Sequence, residues 1–252
     1  MLKFILTTLI VSLFISCNNG HTKRTNNDLT NMNLKGSINS IIEKSYSATE
    51  KDGKFEKREE TPDNSDKLIY TFNTDGNLTE IVGNLFGGSG STRNEMKYDE
   101  SGKKNEWIVF NSDGSIQGRS IYKYDKNGYV TEESRYSQVT PAKGDITYQG
   151  KIIYKYDDNG NKIEEASYGP DGAKGYIITL KYDSKGYKIQ EKDGNHITNY
   201  VNDEKGNPIE ITLEGKQRYS YVYDEKGNWI VQNIFENSVE GAYIKERKIK
   251  YY

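Results

Sequence analysis

Tyr122-Lys-Tyr124-Asp125-Lys-Asn-Gly128 is the stretch that decides the fold. It returns as Tyr154–Gly160 and Tyr221–Gly227, and looser copies end at Gly76, Gly102, Gly186 and Gly206. Three residues before each glycine stands Asn73, Asp99, Asp125, Asp157, Asp183, Asp203 or Asp224. Four residues before it the side chain is aromatic in every copy except one, which has Asn202. An Asp or Asn opening a turn accepts from the N–H groups ahead of it. A glycine three residues on takes the left-handed conformation that closes a type I turn with a G1 bulge. The flanks, such as Ser120–Tyr124 and Tyr129–Tyr136, carry β-type residues at alternating positions. Each copy therefore reads as a β-hairpin.

The glycines are spaced by 26, 26, 32, 26, 20 and 21 residues. Second turn signals lie inside those gaps: Ser112-Asp113-Gly114, Pro170-Asp171-Gly172, Asp193-Gly194 and Glu214-Gly215. Hairpins joined by hairpins make an antiparallel meander of roughly sixteen strands, opened by a hairpin of Ser37–Ala48 with Gly53–Glu59. No helix of normal length is expected, because Pro, Gly and β-branched residues interrupt every window. If −4 faces +2 across the turn and −6 faces +4, the Tyr column at −6 lies beside Glu80, Glu106, Glu132 and Glu164. Ile163, Ile189, Ile209 and Ile230, at +3, then fall on the other face. Neither face is cleanly apolar. The expectation is an all-β domain over 34–252, an elongated meander in one curved or coiled sheet.

Composition agrees with a folded but polar chain. Hydrophobic residues are 33% of 252, a count that includes 21 Tyr, and aromatics reach 12%, which disordered chains do not. The net charge of −2 provides no basic field for nucleic acid. One Cys excludes an internal disulfide framework and Cys-based zinc sites.

The start, MLKFILTTLIVSLFISC, has Lys3 and then a short apolar run from Phe4 to Ile15. A spanning helix needs about 20 apolar residues, so residues 1–16 read as a signal peptide. Small Ser16 before Cys17 resembles the lipobox of bacterial lipoproteins, with Phe14 where Leu is usual. That resemblance implies cleavage before Cys17, lipid on its sulfur and an acylated amine; several acyl chains anchor a protein stably. Residues 17–33 then form the lipidated Cys and a polar tether. No acidic run follows Cys17, which favours the periplasmic face of the outer membrane over the cell surface.

Tyr-Asp-x-x-Gly-Asn at Tyr156–Asn161 and Tyr223–Asn228 resembles the YD repeats of RHS and teneurin-like proteins, over about residues 67–252. The whole chain is similar to short, lipobox-bearing RHS-like lipoproteins. In the long members such repeats build a β-sheet shell, sometimes around a toxin. Seven copies and a final strand at Tyr243–Tyr252 do not lead us to expect that role here.

Little in the chain invites chemistry. His21 lies in the tether and His196 beside a turn, whereas nucleophilic catalysis needs a positioned imidazole. Phe86-Gly-Gly-Ser-Gly-Ser91 has no following helix and reads as a loop. Asn73–Asn77 and Asn111–Ser115 resemble fragments of calcium loops but lack the downstream Glu, and hairpin turns use the same residues. No metal or cofactor is expected. Tyr and Trp rings can stack on sugars. Trp107 and Trp229 break the repeat pattern, so they and Tyr124 and Tyr156 are the candidate binding residues, with Cys17 the lipidation site. The expected function is non-enzymatic: an envelope lipoprotein offering a sheet surface to a glycan, peptidoglycan or an envelope protein. The alternatives are a polysaccharide hydrolase with an Asp/Glu pair, marked by carboxylates converging in one cleft, and a structural spacer.

Overall fold

The computed structural model describes residues 27–51, 54–58, 67–83, 92–138, 145–236 and 242–252. Cys17, His21 and the Gly-rich stretch 86–91 lie outside the described residues. One short helix, α1 (Asp28–Asn31), precedes β1 (Ile38–Lys51), β2 (Lys54–Lys57), β3 (Lys67–Phe72), β4 (Leu78–Gly83), β5 (Thr92–Tyr98) and β6 (Lys104–Phe110). Then come β7 (Ile116–Tyr124), β8 (Val130–Gln138), β9 (Ile146–Tyr156), β10 (Lys162–Tyr168), β11 (Lys174–Tyr182) and β12 (Lys188–Asp193). The chain continues through β13 (His196–Asn202), β14 (Pro208–Thr212), β15 (Lys216–Tyr223), β16 (Trp229–Glu236) and β17 (Ala242–Tyr251).

All seven repeat turns are built as their residues require. At Gly128 the Gly N–H donates to the Asp125 carbonyl (3.1 Å) and the Asp125 N–H to the Tyr129 carbonyl (2.9 Å). The Asp125 carboxylate accepts from Asn127 N and Tyr129 N, each at 2.9 Å. The seven glycines have φ between +78° and +88°. These turns form one rim of the molecule.

The meander closes. Strands β3 to β17 pair antiparallel in chain order. β1 then pairs with β17 from Ile38↔Tyr251 to Ala48↔Ala242 on one side. On its other side it pairs with β3 from Ser40↔Thr71 to Lys44↔Lys67, and β2 continues that edge. The result is a barrel of sixteen strands with β2 as an extra edge piece, which corrects the expectation of an elongated open curved sheet. The opening hairpin exists, but most of β1 serves as the seam.

The cause of closure is a second irregularity in every copy. Tyr124 faces Val130 and Lys123 faces Glu132, so Thr131, at +3, has no partner. The same slip occurs beside the other six turns. A bulge bends its strand and sharpens the twist, and seven of them curl the sheet onto itself. It also shifts the register. Position −6 faces +5, not +4, and the expected pairing of the Tyr column with Glu80, Glu106, Glu132 and Glu164 is wrong for that reason. Those Glu face the −5 column instead, on the opposite side of the sheet.

The best-packed core lies at the seam. Ile38, Ile41, Phe72, Leu78 and Ile81 are fully buried beneath Leu29 and Leu34. The last part of the segment read as tether is thus docked. Leu29 N donates to the Gly76 carbonyl (3.1 Å) and the Asp28 carboxylate caps Leu78 N (2.9 Å). Asn33 reaches the Lys205 carbonyl (2.8 Å) and Lys35 N the Asn228 side chain (2.8 Å). Apolar Leu29, Met32 and Leu34, three among polar neighbours, give that segment its footing.

Candidate functional site: the inner wall of the barrel

The face carrying −4, −6 and +5 is the one on which Leu29 and Leu34 pack, and it holds the buried strand residues Tyr70, Met96, Glu133, Ile152 and Ile178. It is the concave, inner wall. Across it the pairs run Tyr122 with Glu133, Tyr154 with Glu165, Tyr200 with Ile211 and Tyr221 with Gln232. Tyr70 with Ile81 and Met96 with Trp107 continue the wall at the apolar seam.

Charges on this wall are matched within it. Glu133 accepts from Ser120 Oγ (2.8 Å), Arg135 Nε (2.8 Å) and the Tyr154 hydroxyl (2.6 Å). Burial alone would push its carboxyl up; Arg135, Tyr154 and Ser120 outweigh that and hold it below the ordinary glutamate value. Six strands away on β1, Glu43 is held down in the same way against burial, by Arg247 Nε at 2.9 Å and Lys245 at 3.5 Å. Lys188 pairs with Glu191 (2.7 Å) and lies 4.2 Å from the centre of the Tyr200 ring. Lys162 pairs with Glu165 and lies 5.1 Å from the Tyr154 ring. Burial raises the tyrosine hydroxyls, that of Tyr219 to about 12, so they stay neutral donors and acceptors. The wall is therefore aromatic, hydrogen-bonding and nearly neutral. Among the described residues the buried carboxylates are Glu43 and Glu133, and both are held below the ordinary glutamate value, whereas a glycosidase acid is raised above it.

The four residues singled out from sequence are not brought together. Trp107 is packed at the seam, its Nε1 donating to Asn94 Oδ1 (3.0 Å). Trp229 lies six strands away, with the Arg247 guanidinium 3.4 Å from its ring centre. Tyr124 and Tyr156 sit at the rim end of the wall: Tyr124 donates to the Lys104 carbonyl (2.6 Å) and Tyr156 stacks on Tyr129 at 4.8 Å. The −6 tyrosines were visible as a column, but nothing marked the bulge that decides what faces them. His196 is exposed at the other rim, 3.5 Å from Glu214. The oxygens of Asn73 and Asp113 are taken by their own turns, Asn73 Oδ1 by Asp75 N and Asn77 N and Asp113 Oδ1 by Ser115. No cluster of three or more metal-ligating side chains occurs among the described residues.

The outer wall carries ion pairs instead: Lys97–Glu106 (3.2 Å), Lys123–Glu132 (2.7 Å) and Lys155–Glu164 (2.8 Å) beside the rim turns, and Lys151–Glu132 (3.0 Å) with its lysine at the middle of β9. A bilayer-spanning barrel presents an apolar band at mid-strand, where a Lys such as Lys151 would cost about 2–4 kcal/mol. No described helix is long and apolar enough to cross a membrane.

Comparison with known proteins places the fold. No family model matches the chain, and no curated protein does. Among solved structures it is similar to a porin-like protein from Bacteroides uniformis, with a TM-score of 0.56, 12% identity, and coverage of 86% of this chain and 99% of that one. A chain of the Photorhabdus luminescens Tc holotoxin pore aligns at a TM-score of 0.33 and 13% identity, over 91% of this chain and 13% of that one. The fold is thus a closed, all-antiparallel β-barrel of sixteen strands, similar to the fold of that porin-like protein.

Proposed function

We propose that this protein is a non-enzymatic outer-membrane lipoprotein, anchored through Cys17 on the periplasmic face, whose barrel binds a neutral glycan on its inner wall. The observation that carries this reading is the wall itself. Tyr122, Tyr154, Tyr200 and Tyr221 recur at one repeat position beside charge pairs that cancel. Rings that stack and neutral hydroxyls that bond suit an uncharged polyhydroxyl chain. Trp229 belongs to the same wall, and Tyr124 and Tyr156 flank it at the rim. The charged outer wall fits a barrel tied to the membrane rather than threaded through it. The YD-repeat likeness of the turns belongs to this reading too.

The test is a thermal-shift titration with peptidoglycan fragments and neutral oligosaccharides, since a ligand that binds only the folded state raises its melting temperature. A saturable shift of several degrees with one glycan class is expected, and Tyr200→Ala should abolish most of it. A flat response across the panel would leave an envelope protein as the partner. For the anchor, Cys17→Ala should release the mature protein from the membrane fraction, and retention there would overturn it.

A further inference from the structure

Each repeat offers two outward positions beside its rim turn, −5 and the bulged +3. The two halves of the barrel fill them differently. In the first three copies +3 is Thr79, Asn105 and Thr131, and both threonines bond back to sheet carbonyls (Thr71 O at 3.1 Å, Lys123 O at 3.4 Å). From the fourth copy on, +3 is isoleucine: Ile163, Ile189 and Ile209 are 37%, 39% and 38% exposed. In the sixth and seventh copies −5 is Val201 and Val222, each 51% exposed. Scattered exposed aliphatics are ordinary. An arc that follows one rim from β10 to β15, at positions the same repeat elsewhere fills with polar residues, is not scattered.

The chain enters at this rim. Asn27 donates to the Asp75 carbonyl (2.8 Å) in the first repeat turn, and Asn33 contacts the sixth. Cys17 precedes Asn27 by ten residues, at most about 33–36 Å of extended chain. A lipid on Cys17 holds this rim nearer the bilayer than the opposite one.

We propose that the arc of Ile163, Ile189, Val201, Ile209 and Val222 docks on the lipid surface and sets the barrel's orientation on its leaflet. The direction of approach rests on the anchor reading; the affinity of the arc does not require the lipid. The chain lacking residues 1–17 is the material for the test, because its ring of strands is complete without them. It is floated with vesicles of phosphatidylethanolamine and phosphatidylglycerol. Partition into the vesicle fraction is expected, and Val201→Ser/Val222→Ser should reduce it roughly tenfold or more, since each half-exposed valine loses the part of its side chain that the lipid would cover. Leu213→Ser, at the other rim and 50% exposed, should leave it unchanged. All variants should melt like the parent. A parent that does not float, or equal losses in Leu213→Ser, overturns the proposal. So does a dimer without lipid that the double substitution dissolves, which would assign the arc to a second copy. Failure of the anchor would show instead as Cys17→Ala staying membrane-bound, a result independent of this one.

Discussion

At the residue scale, Tyr, Asp and Gly of the repeat have separate tasks. Asp closes its own turn, while the tyrosine reaches one copy back. Tyr98, Tyr124 and Tyr182 donate to the carbonyls of Leu78, Lys104 and Lys162, at 2.6, 2.6 and 2.7 Å, each at +2 of the preceding copy. That carbonyl stands next to the bulge. Asn202, which breaks the aromatic column, makes the same bond to Lys188 (2.9 Å). Tyr223 and Tyr251 dock instead on the Asp and Asn of the turn before them. The glycines differ in what surrounds them. Gly160 (φ +80°) has the Tyr129 hydroxyl against it, whereas Gly172 (φ +81°) faces open space. Gly172→Ala should therefore cost only the left-handed strain, about 1–2 kcal/mol. Gly160→Ala should cost about 3 kcal/mol, because Tyr129 must also leave its stack on Tyr156. Urea melts of the two variants would measure this, and equal losses would remove the packing role. The turn chemistry was legible in the sequence because it is local. Tyr129 over Gly160 was not, since 31 residues separate them.

At the scale of the strand pair, the bulge sorts the charges. It sends Glu106, Glu132 and Glu164 outward to Lys97, Lys123 and Lys155 and leaves +5 on the inner wall. Glu133 is the informative case. In the unfolded chain it titrates near the ordinary glutamate value of 4.5, and in the fold it is held lower. Below that value the unfolded chain binds more protons, so the stability this group contributes is complete above about pH 5.5 and lost as pH falls through 4.5 and beneath. The melting temperature should be flat from pH 7 to about 5.5 and fall below pH 4.5. Glu133→Gln should lower the stability at neutral pH by about 1–3 kcal/mol and make the acid limb of the melting curve shallower. An unchanged acid limb would mean that other carboxylates, Glu43 among them, carry the effect.

At the scale of the whole molecule, closure depends on β1 and β17, some two hundred residues apart. The seam is held by ten residues of pairing, by Arg247 on Glu43 (2.9 Å), and by Tyr252, whose hydroxyl reaches the Phe72 carbonyl (2.6 Å). Deleting residues 242–252 should leave two long unpaired edges, at β1 and β16. The expected outcome is association, seen as high mass by light scattering after size exclusion, with loss of a single cooperative melt. An open meander would lose one terminal strand and stay monomeric, so a monomeric, cooperative product would argue against a stability role for the seam.

The sequence by itself determined the hairpins. The Asp-x-x-Gly turn, the alternating flanks and the spacing of the glycines are local, and backbone sterics read them one way. It also determined that every strand would be half polar on both faces. Only the tertiary structure decided that the strands form a ring, and which wall each column lines. Both depend on one unpaired residue per hairpin, which is Thr, Asn or Ile without distinction and so carries no mark in the sequence. The accumulated bend of seven such bulges, and the meeting of two distant ends, appear only when the whole sheet is assembled.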